Sequence, residues 1–232
     1  MSYACCSAGE SFKAAAKVMV GVSLAEQSYS EAPKPQQYSV KEAVFPFAKF
    51  AGIDIVLGPE MKSTGEVMGI SESFPIAFAK SQLAAGTVLP TQGKVFISVS
   101  KRSKEHVGGL ARRLEQMGFE LLATTGTAAR LQAEGVRVQT LMKIQEGRPN
   151  ALDYIIDGNL HLVINTPSGK GARTDEGRIR AAAFSHGIPC ITTLEGAAVA
   201  IGAMEALLRQ EMTVQAVQDR FPSHSHTPTV HR

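Results

Sequence analysis

Lys94-Val95-Phe96-Ile97-Ser98-Val99 is a short apolar run rich in β-branched and aromatic residues, and a pattern of helical spacing from Lys104 to Met117 follows it and stops at Gly118. A run of that length between turn signals is a buried strand, and glycine just beyond a helical pattern supplies the left-handed cap that ends the helix. The same grammar returns three times. Glu120 to Thr124 leads into a helix ended by Gly135, Val136 to Met142 into one ended by Gly158, and Leu160 to Asn165 into one ended by Gly187. A fifth strand at Pro189 to Thr193 feeds a closing helix from Leu194 to Leu208. Strands regularly alternating with helices predict an α/β fold with a five-stranded, mainly parallel sheet. The glycines are unevenly spaced, so these are fold units and not a sequence repeat.

The residues before Gly93 are organised differently. Phe12 to Val20 places Phe12, Ala15, Ala16 and Met19 on one face and reads as a helix ended at Gly21. Pro33 and Pro35 hold Glu31 to Gln37 extended, Tyr38 to Phe45 alternates as a half-buried strand, and Ser73 to Ala84 reads as a helix with Ser73 at its N-cap. Gly86 to Gly93 is a linker. This front part lacks a core of its own and reads as the end of something larger. The tail from Pro222 to Arg232 is polar and is expected to be disordered.

Composition excludes several classes. The 232 residues carry a net charge of +3 from well-mixed charges, 6% aromatic residues and no Trp, which argues against a single-strand nucleic-acid platform. No apolar run reaches the roughly 18 residues of a membrane helix. Cys5, Cys6 and Cys190 have neither metal spacing nor an even disulfide framework, and Met1 to Glu10 lacks the pattern of a secretory signal, so a reduced cytoplasmic protein is expected. His106, His161 and His186 fall within elements, and His224, His226 and His231 lie in the tail without Cys or carboxylate partners, so no metal site is predicted.

In an open parallel sheet the ligand crevice lies outside the carboxyl ends of the strands. Those ends carry Ser98 with Lys101, Arg102 and Lys104, then Thr124-Thr125-Gly126-Thr127, then Lys143, then Asn165-Thr166 before Ser168-Gly169-Lys170, and finally Thr192-Thr193. Any single Thr after a strand can be only a helix cap, and a loop Lys only a solvated charge. Their coincidence on one edge of one sheet supplies what a phosphate monoester needs: hydroxyl and amide donors, ammonium groups and a helix start with glycine. The Walker loop is absent and Gly169-Lys170-Gly171 lacks the third glycine of the dinucleotide fingerprint, which leaves a nucleotide hydrolase or a dinucleotide-dependent dehydrogenase unsupported. No nucleophile triad has its motif context either.

Longer stretches carry a resemblance. Leu57-Gly58-Pro59-Glu60-Met61-Lys62-Ser63-Thr64-Gly65-Glu66-Val67-Met68-Gly69 is similar to the segment that closes the second ATP-grasp unit of carbamoyl phosphate synthetase large chains. Ser39 to Glu42 with Phe45-Pro46-Phe47, Ala123 to Thr127, Lys143 with Glu146 to Pro149, and Asn165-Thr166 resemble that family in order and spacing, over roughly Phe12 to Phe221. The resemblance implies a three-layer, methylglyoxal-synthase-like allosteric domain over residues 91–221. A small α+β remnant of the ATP-grasp unit over 1–90 precedes it, and a tail over 222–232 follows. It further implies a nucleoside monophosphate effector such as UMP or IMP, with Ser98, Lys104, Thr124, Thr127 and Lys143 at its phosphate and Asn165, Thr166 and Lys170 nearby. Glu42 and Thr192 fall at an ornithine-type site. Pro167 stands where relatives often carry a Thr, and Ile191 where an acidic residue is common.

The family makes carbamoyl phosphate for pyrimidine and arginine biosynthesis, using ATP and magnesium in a body upstream of the matched region. The chain alone is therefore expected to need no cofactor, to have no catalytic residue, and to bind an effector while docking on that body and, through it, on the glutaminase small subunit. Homo-oligomer contacts are expected as well. Two enzymes of the same fold are rivals. A methylglyoxal-synthase-like lyase needs a carboxylate base beside the phosphate, but where that family carries Gly-Gly-Asp this chain reads Glu146-Gly147-Arg148-Pro149, and its fourth strand ends in Asn165-Thr166 without an Asp. A purine cyclohydrolase domain leaves Glu42 to Gly69 without an explanation. A third rival is a structural module used only for assembly.

Overall fold

The computed structural model describes residues 8–28, 37–44, 65–166 and 175–216. In chain order the elements are α1 (Ala8–Met19), β1 (Tyr38–Val44), β2 (Gly65–Ser71), α2 (Phe74–Ala84), β3 (Lys94–Ser98) and a 3-10 turn (Lys101–Ser103). Then follow α3 (Val107–Gln116), β4 (Glu120–Thr124), α4 (Thr125–Ala133), β5 (Gln139–Leu141), α5 (Ala151–Ile156), β6 (Leu162–Asn165), α6 (Asp175–Ser185), β7 (Cys190–Ile191) and α7 (Leu194–Arg209).

The five strands β3 to β7 form one sheet in the order β5-β4-β3-β6-β7, and every pair in it is parallel. Side chains alternate faces along a strand, so each strand feeds two cores. Val95 and Ile97, Leu121 and Ala123, and Leu162 and Ile164 face one way, against Ala111 and Leu114 of α3, Leu131 of α4 and Ile201 and Met204 of α7. Phe96, Leu122 and Val163 face the other way, against Ile155 of α5 and Ile179 of α6. The sheet is thus covered on both faces, which gives three layers. Each of the larger side chains here, Val, Leu, Ile, Met and Phe, contributes about 1.5–3 kcal/mol by leaving water, and near-continuous apolar strands are what double covering requires.

The predicted glycine stops hold. Gly118, Gly135, Gly158 and Gly187 follow α3, α4, α5 and α6 with φ of 89°, 79°, 68° and 67°, the left-handed region that a side chain disfavours. Several boundaries move inward. The helix expected from Lys104 starts at Val107, because residues 101–103 form a 3-10 turn first. The strand expected over Val136 to Met142 is ordered as a ladder only at Gln139–Leu141 beside β4, and the strand expected over Pro189 to Thr193 only at Cys190–Ile191. These are the two edge strands of the sheet, with one neighbour each, so hydropathy extends further than pairing does. Ser73 occupies the N-cap of α2 with extended backbone, yet its hydroxyl makes no capping bond; Pro75 in the first turn sets the helix start.

In front of the large sheet, β1 and β2 form an antiparallel pair in which Glu42 faces Val67. The second strand was not foreseen, since Gly65 and Gly69 mask its alternation. Gly69 explains itself in the fold: a methyl group there would lie against Ala77 O and 2.5 Å from Ser81 N, so α2 packs backbone to backbone on β2. The same helix joins the large core through Ala79 and Phe78. Ala-rich α1 ends before Gly21 at φ 95°, as predicted, but it starts at Ala8 and not at Phe12. It buries Ala14, whereas Ala15, Ala16 and Met19 of the expected apolar face are exposed. The segment from Glu31 to Gln36, most of Leu57 to Gly69 and the tail from Pro222 lie outside the described residues. No helix among the described residues is long and apolar enough to cross a membrane.

Candidate anion site at the carboxyl edge

Chain order reverses in the middle of the sheet, where β3 is followed on one side by β4 and β5 and on the other by β6 and β7. Such a switch point opens a crevice at the carboxyl ends of the two central strands. Ser98 of β3 and Asn165 of β6 are register partners there, and β4 brings Thr124 to the same edge beside them.

The exit of β3 is tied on both sides. Thr166 N–H donates to Ser98 C=O at 3.0 Å, and the Thr166 hydroxyl in turn accepts Ser100 N–H at 2.8 Å. On the other side Val99 N–H donates to Thr127 Oγ1 at 3.4 Å. Two buried hydroxyls thus continue the ladder where the strand has ended, and each keeps its own proton available to a further acceptor. Ser100 Oγ and Ser103 Oγ lie 3.1 Å apart and Ser103 N–H returns to Ser100 C=O, which closes the turn that carries Lys104.

Lys104 reaches the start of α4. Its ammonium lies 2.7 Å from where a methyl group on Gly126 would sit. The first N–H groups of a helix are without intrahelical partners and carry positive partial charge, so a cation is out of place there unless an anion joins it. None of the ion pairs among the described residues uses Lys104. Thr124 stands at the N-cap of α4 with extended backbone and makes no side-chain cap bond, which leaves its hydroxyl uncommitted. Thr193 behaves in the opposite way: its hydroxyl accepts Gly196 N–H at 3.0 Å and caps α7.

Asn165 is fully buried, and its amide is oriented by donating from Nδ2 to Glu176 C=O at 3.0 Å. Its Oδ1 is buried and finds no donor among the described residues. A buried carbonyl without a partner costs about 1–3 kcal/mol, a cost that a bound donor or water would remove.

The remaining predicted residues lie further out. Lys143 follows the edge strand β5, is exposed, and pairs with Glu146 at 3.3 Å. The Lys143 backbone N–H and then its ammonium hold the Glu146 carboxyl below the ordinary carboxylate range. Thr192 follows β7 at the opposite edge, half-buried. Glu42 belongs to β1, where it accepts from Gln82 Nε2 of α2 at 2.9 Å; burial pushes its carboxyl up despite that bond. Lys170 lies outside the described residues. The structure therefore brings Ser98, Lys104, Thr124, Thr127, Asn165 and Thr166 together, with Lys143 at one rim and Thr192 at the other.

Sequence reasoning passed over Ser100, Ser103, Gly126 as a seat for Lys104, and Gln82 as the partner of Glu42. Ser100 and Ser103 could have been found as the hydroxyls flanking a basic turn, whereas Gln82 is 40 residues from Glu42 and leaves no local signal. Among the described residues no group of three His, Cys, Asp or Glu could hold a metal ion. Cys190 is free, and burial pushes its thiol up to about 11, which makes it a poor nucleophile.

The chain has recognisable relatives among known proteins. Residues 107–192 match the MGS-like domain family. Over 207 residues the chain is 58% identical to the carbamoyl phosphate synthase large chain of Rhodopirellula baltica, a match that covers 89% of this chain and 19% of that relative. It is 49% identical over 208 residues to the same protein of Archaeoglobus fulgidus, covering 89% of this chain and 19% of the relative. It is 45% identical over 210 residues to the arginine-specific, chloroplastic large chain of Oryza sativa, covering 90% and 18%. The chain thus spans about a fifth of the length of the curated relatives it matches.

Proposed function

We propose, for a homologue of carbamoyl phosphate synthase large chains that carries an MGS-like domain, that the chain is the effector-binding part of such an enzyme and takes a nucleoside monophosphate at the carboxyl edge of β3, β4 and β6. The observation that carries this reading is the Lys104 ammonium held against the start of α4, with no ion-pair partner among the described residues. A phosphate placed between them would accept from Lys104, from the free N–H groups of the first turn and from the hydroxyls of Thr124 and Thr127. In this reading Ser98 and Thr166 line the inner wall of the crevice, Asn165 lies below it and Lys143 closes the rim at β5, and Lys170 is a further candidate from the sequence that follows β6.

An ornithine-type ligand is assigned to Glu42 and Thr192, where a half-buried carboxylate with a single amide partner would gain from an ammonium. Docking on a synthetase body, and indirectly on a glutaminase subunit, falls to the β1–β2 side, because α2 packs on both that pair and the large core. Effector occupancy would then bias how the two parts pack, a coupling between separate sites. Carbamoyl phosphate synthesis itself, with its ATP and magnesium, belongs in this reading to the body, and the present chain contributes regulation of a pathway step leading to pyrimidines and arginine.

Calorimetric titration of the chain with UMP, IMP and ornithine, beside a Lys143→Ala variant and an assay for methylglyoxal formation from dihydroxyacetone phosphate, tests the proposal. Saturable nucleotide binding that weakens in the variant, without turnover, is the expected result. A folded chain that binds none of them would favour a purely structural module, and turnover would favour a lyase.

A further inference from the structure

We propose that Thr166 and Gly126 are positioning residues that set the Lys104 ammonium: Thr166 by holding the turn that carries it, Gly126 by leaving empty the space it occupies. The inference rests on reading this edge as an anion site, and it changes the role of Thr166 from ligand contact to support.

Lys104 leaves the 3-10 turn Lys101–Ser103, a short element with few bonds of its own. Its connection to the sheet runs through Ser100, whose N–H is bound at 2.8 Å by the Thr166 hydroxyl while Thr166 N–H is bound by Ser98 at 3.0 Å. Thr166 is 7% exposed, so the oxygen that accepts Ser100 is desolvated and water is a poor replacement for it. From Ser100 the order passes to Ser103 through both the backbone bond and the hydroxyl contact, and on to His106 N–H, which donates to Ser103 C=O at 3.2 Å. Lys104 sits between these two anchored points.

Gly126 stands in the first turn of α4 without the left-handed backbone that would require glycine. Alanine would suit the helix better there, since glycine gives the unfolded chain more freedom to lose. What alanine would not suit is Lys104, because the methyl group would fall 2.7 Å from Nζ, closer than real side-chain contacts allow. The ammonium would then have to withdraw from the helix start by somewhat under ~1 Å, and a charge-assisted bond to a phosphate is sensitive to displacements approaching that size.

The test uses the whole chain and the variants Thr166→Val, Thr166→Ser, Gly126→Ala, Lys104→Ala and the Gly126→Ala/Lys104→Ala pair. Amide hydrogen exchange at Ser100 and the acylation rate of Lys104 relative to the other lysines are measured without ligand, and titration with UMP and with inorganic phosphate follows. Thr166→Val is expected to expose Ser100 to exchange and to weaken binding about five- to tenfold, and Thr166→Ser to restore both. Gly126→Ala is expected to alter acylation at Lys104 alone and to weaken binding about tenfold, with no further loss in the Lys104→Ala background. Ser100 protection that survives Thr166→Val, or additive losses in the Gly126/Lys104 cycle, would overturn the proposal. If the parent chain binds neither UMP nor phosphate, the anion-site reading fails, and the exchange and acylation rates still decide whether Thr166 and Gly126 hold Lys104 in place.

Discussion

Arg113 of α3 clasps Glu205 of α7 through two parallel hydrogen bonds, Nε to Oε1 at 2.8 Å and Nη2 to Oε2 at 2.9 Å. Hydrogen bonding to Arg113 holds the Glu205 carboxyl below its ordinary range. A lowered carboxylate stabilises the fold above the unfolded-state pKa and loses that contribution as pH falls through the folded value. Glu205→Gln is therefore expected to lower stability by about 1 kcal/mol at pH 7, the pair being partly exposed, and by little near pH 3. Urea denaturation at the two pH values measures the difference.

Gly69→Ala is expected to destabilise by about 1–3 kcal/mol, because the added methyl group meets the backbone of α2 at Ala77 and Ser81 and not a yielding side chain. Since α2 also packs on the large core, the loss should appear in the main unfolding transition. Calorimetry that shows an unchanged midpoint would refute this account of the packing.

Glu42→Gln has the opposite sign. Burial raises the Glu42 carboxyl, so its ionised form opposes folding at neutral pH; the contribution of a raised group is full below the unfolded pKa and is lost as pH rises through the folded value. The variant, which keeps an acceptor for Gln82, is expected to match the parent near pH 4 and to be the more stable at pH 8. Thermal melts across that interval check it, and ornithine should stabilise the parent alone.

Glu146→Gln should free Lys143 from its partner and tighten nucleoside monophosphate binding by about two- to fivefold, the worth of an exposed ion pair. The gain should shrink with added salt, because both groups are exposed and screened. Titration at low and high ionic strength distinguishes this from a change in the shape of the crevice.

The glycines at 118, 135, 158 and 187 and the apolar runs between them made the five-stranded parallel sheet legible from one chain, because a left-handed stop and a buried strand both leave local signatures. The ends of β5 and β7 were not legible: Val136, Val138 and Met142 are apolar, but on an edge strand only the ladder decides where pairing stops. At the candidate site, the strand-end rule picked out Ser98, Thr124, Thr127, Asn165 and Thr166, which the fold places at one edge of the sheet. It could not say that the hydroxyls of Thr127 and Thr166 are bound to Val99 and Ser100 while that of Thr124 is not, since backbone donors become visible only once the turn after β3 is folded. In the sequence Gly126 reads as a glycine that opens a helix start to a phosphate; its contact with Lys104, 22 residues away and on another loop, leaves no local signal.

The seating of α2 on α7 has a practical corollary for anyone who would transplant this module into another protein. Ala79 and Leu89 belong to the same buried cluster as Ile201 and Met204, so a cut at residue 90 would leave an apolar seam open to solvent. Such a cassette would be prone to self-association, whereas one that starts ahead of Phe74 would carry its own lid across the graft.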